Sequence, residues 1–139
     1  MTHQTLQPPG WPRPKGYSNG IAATIAPQGR LVFTAGVVGW DANEKFPKGL
    51  TAQAAQAFAN TKAILAEASA DPAHIVRMTW YVTSRAAYLA EAPAIGAAYR
   101  ATFGKVFPAM AVVEVSGLME SEALLEIETT AVVPHTGPS

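Results

Sequence analysis

The sequence predicts an α+β fold, a two-layer sandwich in which two helices cover one face of a mixed β-sheet. Two longer segments repeat their apolar residues with the helical period, and shorter ones alternate with the period of a strand. The segments follow one another in the order β-β-α-β-α-β-β, and right-handed crossovers place both helices on one side when the chain advances in one direction. The 139 residues are the length of one domain, and no linker divides them.

The first predicted element is a β-hairpin with strands at 21–26 and 31–38, joined by a tight turn. Gly36 and Gly39 interrupt the second half of the second strand. Glycine inside a strand indicates a bulge or a close approach by another chain segment or a ligand. A simple bend before the loop at Trp40 is the alternative.

Two helices are predicted, at 51–68 and 84–103, because apolar residues recur on one stripe of each. Pro93 lies inside the second segment, and an interior proline costs about 3 kcal/mol. We therefore expect a short turn first and a main helix that starts near Pro93, where proline is tolerated in the first turn.

The strands predicted at 75–82, 107–116 and 123–133 each have two different faces. If the helices cover one face of the sheet, the other face is expected to carry a mixture of apolar and charged side chains, namely Met110, Val112, Glu114, Arg77, Thr79, Tyr81, Glu126 and Glu128. Such a face is too apolar for plain surface and too polar for core. The sequence therefore predicts a subunit interface with ligand clefts along it.

Composition and charge narrow the class of protein. Hydrophobic residues make up 49% and charged residues 14% of the chain, so little polar surface is available to cover a monomer, and a homo-oligomer is expected. The formal net charge is zero, which makes nucleic acid or an anionic membrane an unlikely partner. With no run of about twenty apolar residues and no apolar leader, we expect a cytoplasmic protein.

Several kinds of site are not predicted. The chain has no cysteine, which excludes disulfides and thiol nucleophiles. His3, His74 and His135 lack the spacing of metal ligands, so no metal site is expected. The hairpin glycines are not followed by a helix that could hold a phosphate.

Short sequences spread over nearly the whole chain, from about Tyr17 to Val133, together resemble the reactive-intermediate deaminases, the RidA or YjgF-like family. They are GYSN at 16–19, FTAG at 33–36, NTKAIL at 60–65, IV and YV at the two ends of 75–82, FPA at 107–109 and LEIE at 125–128. The domain predicted from the resemblance covers residues 17–134, preceded by an extended N-terminal segment at 1–16 and followed by a tail at 135–139.

The resemblance implies a chorismate-mutase-like fold and a homotrimer in which three sheets pack face to face, with a small-molecule cleft between each pair of subunits. Active members of that family hydrolyse imines and enamines released by pyridoxal-phosphate enzymes, giving a keto acid and ammonia. They need no metal and no cofactor, so none is expected here.

The resemblance also implies roles for single residues. Glu126 matches a glutamate that handles the attacking water and is the predicted catalytic residue. The predicted substrate-binding residues are Tyr17, Ala35, Gly36, Met110 and Val112. Met110 stands where active members have an arginine that clamps the substrate carboxylate.

The effect of losing that arginine on carboxylate affinity can be estimated. A guanidinium gives a carboxylate two charge-assisted hydrogen bonds of about 1.5 to 3 kcal/mol each, so affinity falls about a hundredfold or more. Glu114, Glu126 and Glu128 are expected on the same face as Met110, and their charges disfavour an anionic guest. The sequence therefore predicts a cleft that prefers a neutral or cationic molecule to simple 2-imino acids.

Each assignment has a structural alternative. Glu126 could be an interface glutamate bonded to backbone donors, and Tyr17 could be a packed aromatic residue. Arg77 or Arg100 could be a displaced carboxylate anchor, or could form surface or interface pairs. Three functional hypotheses follow: an imine or enamine hydrolase, a trimer that binds a metabolite without turnover, and an RNA-acting protein, against which the zero net charge argues.

Overall fold

The computed structural model describes residues 3–134, and in this part of the chain two helices pack against one face of a five-stranded sheet. The elements, in chain order, are β1 (Gln4–Leu6), β2 (Gly20–Ala22), β3 (Arg30–Phe33), β4 (Val37–Val38), α1 (Leu50–Glu67), a 3₁₀ turn (Pro72–His74), β5 (Ile75–Val82), α2 (Arg85–Phe103), β6 (Ala109–Glu114) and β7 (Leu125–Val133). The predicted two-layer α+β sandwich is confirmed. The tail predicted at 135–139 lies outside the described residues.

The main sheet is built around β7, its longest strand. Its order is β3-β7-β5-β6, and β4 pairs with β7 beyond the end of β3. β5 and β6 run parallel, and the other pairs are antiparallel. The sheet is mixed, as predicted. No helix within residues 3–134 is both long and apolar enough to cross a membrane.

The predicted hairpin is wrong. β2 pairs with β1, and β3 pairs with β7, so the two consecutive strands are not partners. One edge of the long strand β7 forms backbone hydrogen bonds with β3 near its end and with β4 near its start. β1 lies within the segment predicted to be extended, but it precedes all of that segment's prolines and therefore keeps its backbone donors.

The expectation that the second helix starts near Pro93 is also wrong. α2 runs without interruption through Pro93, and the Ser84 hydroxyl caps its start by accepting a hydrogen bond from the Ala87 backbone N–H. Ile95, Tyr99 and Phe103, spaced four residues apart, are buried on one face, while Pro93 is on the exposed side. Burial of this face, at about 1.5 to 3 kcal/mol for each large side chain, outweighs the cost of the proline.

The core between the sheet and the helices is centred on Phe58 of α1. Its ring centroid lies 5.2 Å from that of Trp80, 5.5 Å from that of Tyr99 and 5.7 Å from that of Phe103. Offset or edge-to-face aromatic pairs at these distances add about 0.5 to 1.5 kcal/mol each beyond the burial of area. The aromatic cluster therefore fixes α2 relative to β5.

The two faces of β6 are the reverse of those predicted. In the parallel register Met110 lies opposite Met78 and Val112 opposite Trp80, and both of those β5 residues are buried under the helices. Residues paired across a sheet share a face, so Met110 and Val112 also point to the helices. Glu114 accepts a hydrogen bond from the Arg85 backbone N–H at the start of α2, at 2.7 Å.

We call the face of the main sheet away from the helices the open face. Its apolar side chains are therefore smaller than predicted, because Met110 and Val112 are not among them. It carries Arg77, Thr79 and Tyr81 from β5, Ala109, Ala111 and Val113 from β6, and Glu126, Glu128 and Thr130 from β7. Both sets of alternating residues in β6 are apolar near its start, so periodicity alone could not decide which set faces the helices.

Gly36 and Gly39 mark close approaches, and the chain also bends at Gly39. A Cβ on Gly39 would overlap the backbone of Gln53 in α1, with 2.7 Å to its carbonyl carbon. A Cβ on Gly36 would overlap the Glu126 carboxylate, with 2.7 Å to its Cδ. The first obstacle is a rigid helix backbone and the second is the end of a side chain.

These two obstacles predict different outcomes for the same substitution. We expect Gly39→Ala to lower the free energy of unfolding by about 3 kcal/mol, because neither the helix nor the strand can move aside. Gly36→Ala should cost about 1 kcal/mol or less, because the carboxylate can rotate away. Urea denaturation at one fixed protein concentration measures both. Equal losses in the two variants would show that the close approach at α1 does not constrain the fold.

Candidate functional site

A cavity of about 380 Å³ opens on the helix side of the sheet, and we call it the helix-side cavity. Five aromatic side chains form most of its wall, namely Tyr17, Trp80, Tyr88, Tyr99 and Phe107. Met110 and Val112 form its floor on β6. Three of the predicted substrate-binding residues, Tyr17, Met110 and Val112, thus meet in one place.

Tyr17 is held at the cavity by the residue that follows it. The backbone N–H of Ser18 donates to the Pro108 carbonyl at 3.0 Å, and its hydroxyl donates to the Phe107 carbonyl at 2.5 Å. Ser18 is buried, so these bonds are shielded from competing water. They attach the N-terminal loop to the start of β6 and leave Tyr17 half exposed at the cavity mouth.

The charges at this cavity are positive. Lys15 and Arg100 line it, and neither has a carboxylate within 4.0 Å among residues 3–134. Among those residues, no Asp or Glu lines the cavity. The expectation that Met110 shares its face with Glu114 is confirmed, but Glu114 lies outside the cavity and is bonded to the Arg85 backbone N–H. For Glu126 and Glu128, which lie on the open face, the expectation is wrong. The predicted repulsion of an anionic guest at Met110 therefore loses its basis.

The polar groups of the wall differ in how well they are bonded. The Tyr99 hydroxyl donates to the Val106 carbonyl at 2.7 Å, and burial raises the pKa of Tyr99 and of Tyr88, so both phenols stay neutral. Trp80 Nε1 is buried and has no acceptor among the described residues. An unbonded buried donor costs about 1 to 3 kcal/mol.

Glu126 lies elsewhere, on the open face. Its carboxylate packs against Gly36 in the loop between β3 and β4, and Ala35 is exposed next to it. Thr34 holds this loop on β7, because its backbone N–H donates to the Thr129 carbonyl at 2.9 Å and its hydroxyl accepts from the Thr129 N–H at 3.0 Å. The sequence did not single out Thr34, although it belongs to the FTAG segment.

The predicted site residues therefore form two groups within one chain. Tyr17, Met110 and Val112 line the helix-side cavity, whereas Glu126 does not. Ala35 and Gly36 accompany Glu126 on the other side of the sheet. A guest in the cavity of a single chain is separated from Glu126 by the sheet.

A second cavity, of about 580 Å³, lies on the other side of Tyr17 and Phe107, which line both cavities. Arg13 and Lys105 line it, together with the imidazole of His3. These two cations, with Lys15 and Arg100 of the helix-side cavity, concentrate positive charge around Tyr17 and Phe107. Within residues 3–134 no three His, Asp or Glu side chains form a group that could hold a metal ion, and His135 lies outside that range.

The sequence did not identify the pairing of Tyr81 with Glu128, on the open face. The Tyr81 hydroxyl donates a short hydrogen bond to Glu128 Oε1. That bond, burial and the charges of Glu128 and Glu126 raise the pKa of Tyr81, and Arg77 lowers it in part. The cross-strand register places Tyr81 directly opposite Glu126, so proton binding at Tyr81 responds to both glutamates.

This pairing predicts a measurable titration. Because the neutral phenol is favoured in the folded protein, the stabilisation is complete below the ordinary pKa of 10.0 and is lost as pH rises through the raised pKa. Titration followed by tyrosinate absorbance should show one phenol that is missing in Tyr81→Phe, which assigns it to Tyr81. In Glu128→Gln the pKa of this phenol should fall back toward 10.0. Glu120→Gln is the control, and a curve unchanged in Glu128→Gln would contradict the assignment.

Comparison with known proteins adds to this geometry. Residues 12–133 match the family model described as Endoribonuclease L-PSP. No curated protein matches the chain significantly.

Solved structures match over nearly the whole chain. A Rid-family protein of unknown function from Yersinia pestis, YyfB, is 33% identical with a TM-score of 0.80, and the match covers 96% of this chain and 100% of that one. Escherichia coli TdcF, solved with bound serine, is 27% identical with a TM-score of 0.65, covering 95% and 98%. RidA from an Antarctic Psychrobacter is 26% identical with a TM-score of 0.66, covering 94% and 99%.

Because the family model spans most of the chain and the Yersinia Rid protein shares a third of its residues along its full length, this chain belongs to the endoribonuclease L-PSP family, which includes the Rid and YjgF-like proteins.

Proposed function

We propose that this protein is a cytoplasmic homotrimer that hydrolyses an imine or enamine in clefts between its subunits. The observation that carries the proposal is the separation of Glu126 from the cavity that holds Tyr17 and Met110. A neighbouring subunit that packs its open face near the mouth of this cavity supplies the carboxylate that the cavity lacks. Homotrimers are typical of this family.

The open face supports an interface between subunits. Phe33 of β3 is paired with Thr130, and Leu31 with Val132, so both extend the open face. Phe33 is 67% exposed and Leu31 50% exposed, and Val113 of β6 is 41% exposed. These apolar side chains are exposed at the two edges of the open face, on β3 and β6. Large exposed apolar side chains on one face support contact with another protein, and a closed trimer covers the same surface on every subunit.

The chemistry needs a base and a water molecule. Glu126 accepts a proton from water while the water oxygen attacks the imine carbon, and the proton then passes to the nitrogen. In the resulting carbinolamine the remaining hydroxyl proton moves to the nitrogen through Glu126 as the carbon–nitrogen bond breaks, and the products are a carbonyl compound and ammonia. An enamine first takes a proton at carbon and so becomes the imine. Gly36 has no side chain, which leaves space for the Glu126 carboxylate, and Thr34 fixes the loop around it. The reaction as written takes no electrons and requires no cofactor.

The substrate range is proposed to differ from that of members with an arginine at position 110. Met110 contributes an apolar contact where those members supply a guanidinium. Simple 2-imino acids, whose small bodies make few other contacts, lose the most from this change. The protein is therefore assigned an imine or enamine substrate other than the simple 2-imino acids.

A trimer that binds a metabolite without turnover is the alternative, and Met110 is the observation that favours it. The proposal includes no nucleic-acid partner. Arg13, Lys15, Arg100 and Lys105 line two cavities of small-molecule size, whereas binding of a nucleic-acid backbone needs an extended positive groove. RNA cleavage that depends on Glu126 would favour the endoribonuclease description instead.

Replacement of Glu126 tests the chemistry. Glu126→Gln keeps the shape of the side chain but cannot accept the proton, so kcat should fall about a hundredfold or more. Ammonia release from a panel of imines and enamines is the readout. Glu120→Gln, an exposed change outside the site, should leave the rate unchanged. Saturable binding without turnover in the wild-type protein would instead support the non-catalytic alternative.

Replacement of Met110 tests the substrate range. Met110→Arg should raise kcat/KM for small 2-imino acids about tenfold or more, because it restores a forked donor for the carboxylate. Met110→Lys adds the same charge without the fork and should gain less. Wild-type turnover of small 2-imino acids at rates equal to those of relatives with the arginine would contradict the proposed divergence.

A further inference from the structure

The two glutamates that β7 carries on the open face point to opposite edges of that strand. The Glu126 carboxylate packs against Gly36, in the loop between β3 and β4, and both of these strands pair with one edge of β7. Glu128 accepts a hydrogen bond from Tyr81, on β5, which pairs with the other edge. Residues two apart on a strand share a face and lie about 7 Å apart. Their different partners therefore keep two neighbouring carboxylates separate.

Tyr81 reaches Glu128 on a diagonal across the two strands. In the antiparallel register Tyr81 lies directly opposite Glu126, and Thr79 lies opposite Glu128. Diagonal neighbours in such a pair are about 7 to 8 Å apart, which an aromatic side chain can span. The Tyr81 side chain thus begins beside Glu126, whereas its hydroxyl donates to the other glutamate.

The strands and the loop that flank Glu126 carry few other ionisable groups on the open face, within residues 3–134. β5 contributes Arg77. β3 contributes none, because Arg30, its one ionisable residue, lies on the helix side and donates to the Ala68 carbonyl at 2.6 Å. β4 and the open-face residues of β6 are apolar. The ionisable groups that face Glu126 within its own chain are therefore Tyr81, Glu128 and Arg77.

The hydrogen bond from Tyr81 sets how Glu128 acts on Glu126. A carboxylate that accepts a hydrogen bond is stabilised in its ionised form, and here the bond also holds the Glu128 side chain toward β5. Without the phenol, Glu128 is free to turn along the strand. Two free carboxylates at this spacing tend to share one proton. A base that holds part of a shared proton accepts a proton from water less readily.

We propose that Tyr81 is a positioning residue for Glu126, because it holds Glu128 on the β5 side of β7 and so leaves the Glu126 carboxylate alone with the attacking water. The inference rests on the proposed function for the identity of Glu126 as the general base. Tyr81 exchanges no proton with the substrate. It acts only through Glu128.

Opposite shifts of the pH profile in two variants test the inference. The acid limb of the kcat/KM profile reports protonation of the general base in the free enzyme. Tyr81→Phe releases Glu128 and keeps its charge, so the limb should move by about half a pH unit or more to higher pH. Glu128→Gln removes the charge, so the limb should move by a similar amount to lower pH. Ammonia release from the best substrate of the imine and enamine panel is the readout.

A double variant separates positioning from a purely structural role. Tyr81→Phe/Glu128→Gln has no second carboxylate to release, so its acid limb should coincide with that of Glu128→Gln alone. Glu120→Gln removes an exposed carboxylate outside the site and should leave the limb unchanged. The cations that a neighbouring subunit brings to Glu126 in the proposed trimer, Lys15 and Arg100, are the same in all of these variants.

Nuclear magnetic resonance gives an answer that does not depend on turnover. Protein labelled with ¹³C at the glutamate carboxyl carbon shows one signal for each glutamate, and the loss of a signal in Glu126→Gln or Glu128→Gln assigns the two of interest. The midpoint of the Glu126 titration should rise in Tyr81→Phe and fall in Glu128→Gln. Failure of the proposed hydrolysis would appear separately, as absence of ammonia release while these shifts are present.

Three results would overturn the inference. The first is no shift in Tyr81→Phe when its circular dichroism and its size on gel filtration match those of the wild type. The second is a shift in the same direction in Tyr81→Phe and Glu128→Gln. The third is an acid limb in the double variant that coincides with that of Tyr81→Phe, because the shift would then not require Glu128.

Discussion

The parallel pairing of β6 with β5 is the constraint on which the candidate site depends. It sets Met110 beside Met78 and Val112 beside Trp80, and Trp80 is fixed under the helices by its contact with Phe58. A shift of one residue in this register would move every β6 side chain to the other face of the sheet. The aromatic core therefore determines that Met110 belongs to a cavity under α2 and not to the open face.

The open face has its own internal order. Tyr81 bonds to Glu128, and Glu126 packs against Gly36, so the two neighbouring glutamates of β7 have different environments. Glu128 accepts a hydrogen bond from the Tyr81 phenol. The Glu126 carboxylate accepts none from the side chains of the described residues. That leaves Glu126 available to a water molecule or a substrate, which is the condition for a general base.

The position of Met110 changes what its identity means. On a face shared with three glutamates, methionine in place of arginine at position 110 would remove the one compensating cation, and an anionic guest would be repelled. In the observed cavity it stands among Lys15, Arg100 and a ring of aromatic residues. The positive charge has therefore not been lost from this region. It is supplied by the N-terminal loop and by α2, whose Gly96 allows the arginine side chain to lie over the helix.

The sequence by itself determined the order of the main elements, the buried faces of β5 and β7, and the family, because period-two and helical repeats and the FTAG, FPA and LEIE segments are local patterns. It did not determine the partner of β2, the continuity of α2 through Pro93 or the face of Met110. Each of these depends on contacts between residues far apart in the chain: β1 with β2, Phe58 with Tyr99 and Phe103, and β6 with β5. Tertiary structure decided them because the free energy of those non-local contacts exceeds that of the local preferences, and no local pattern records which distant segment will supply them.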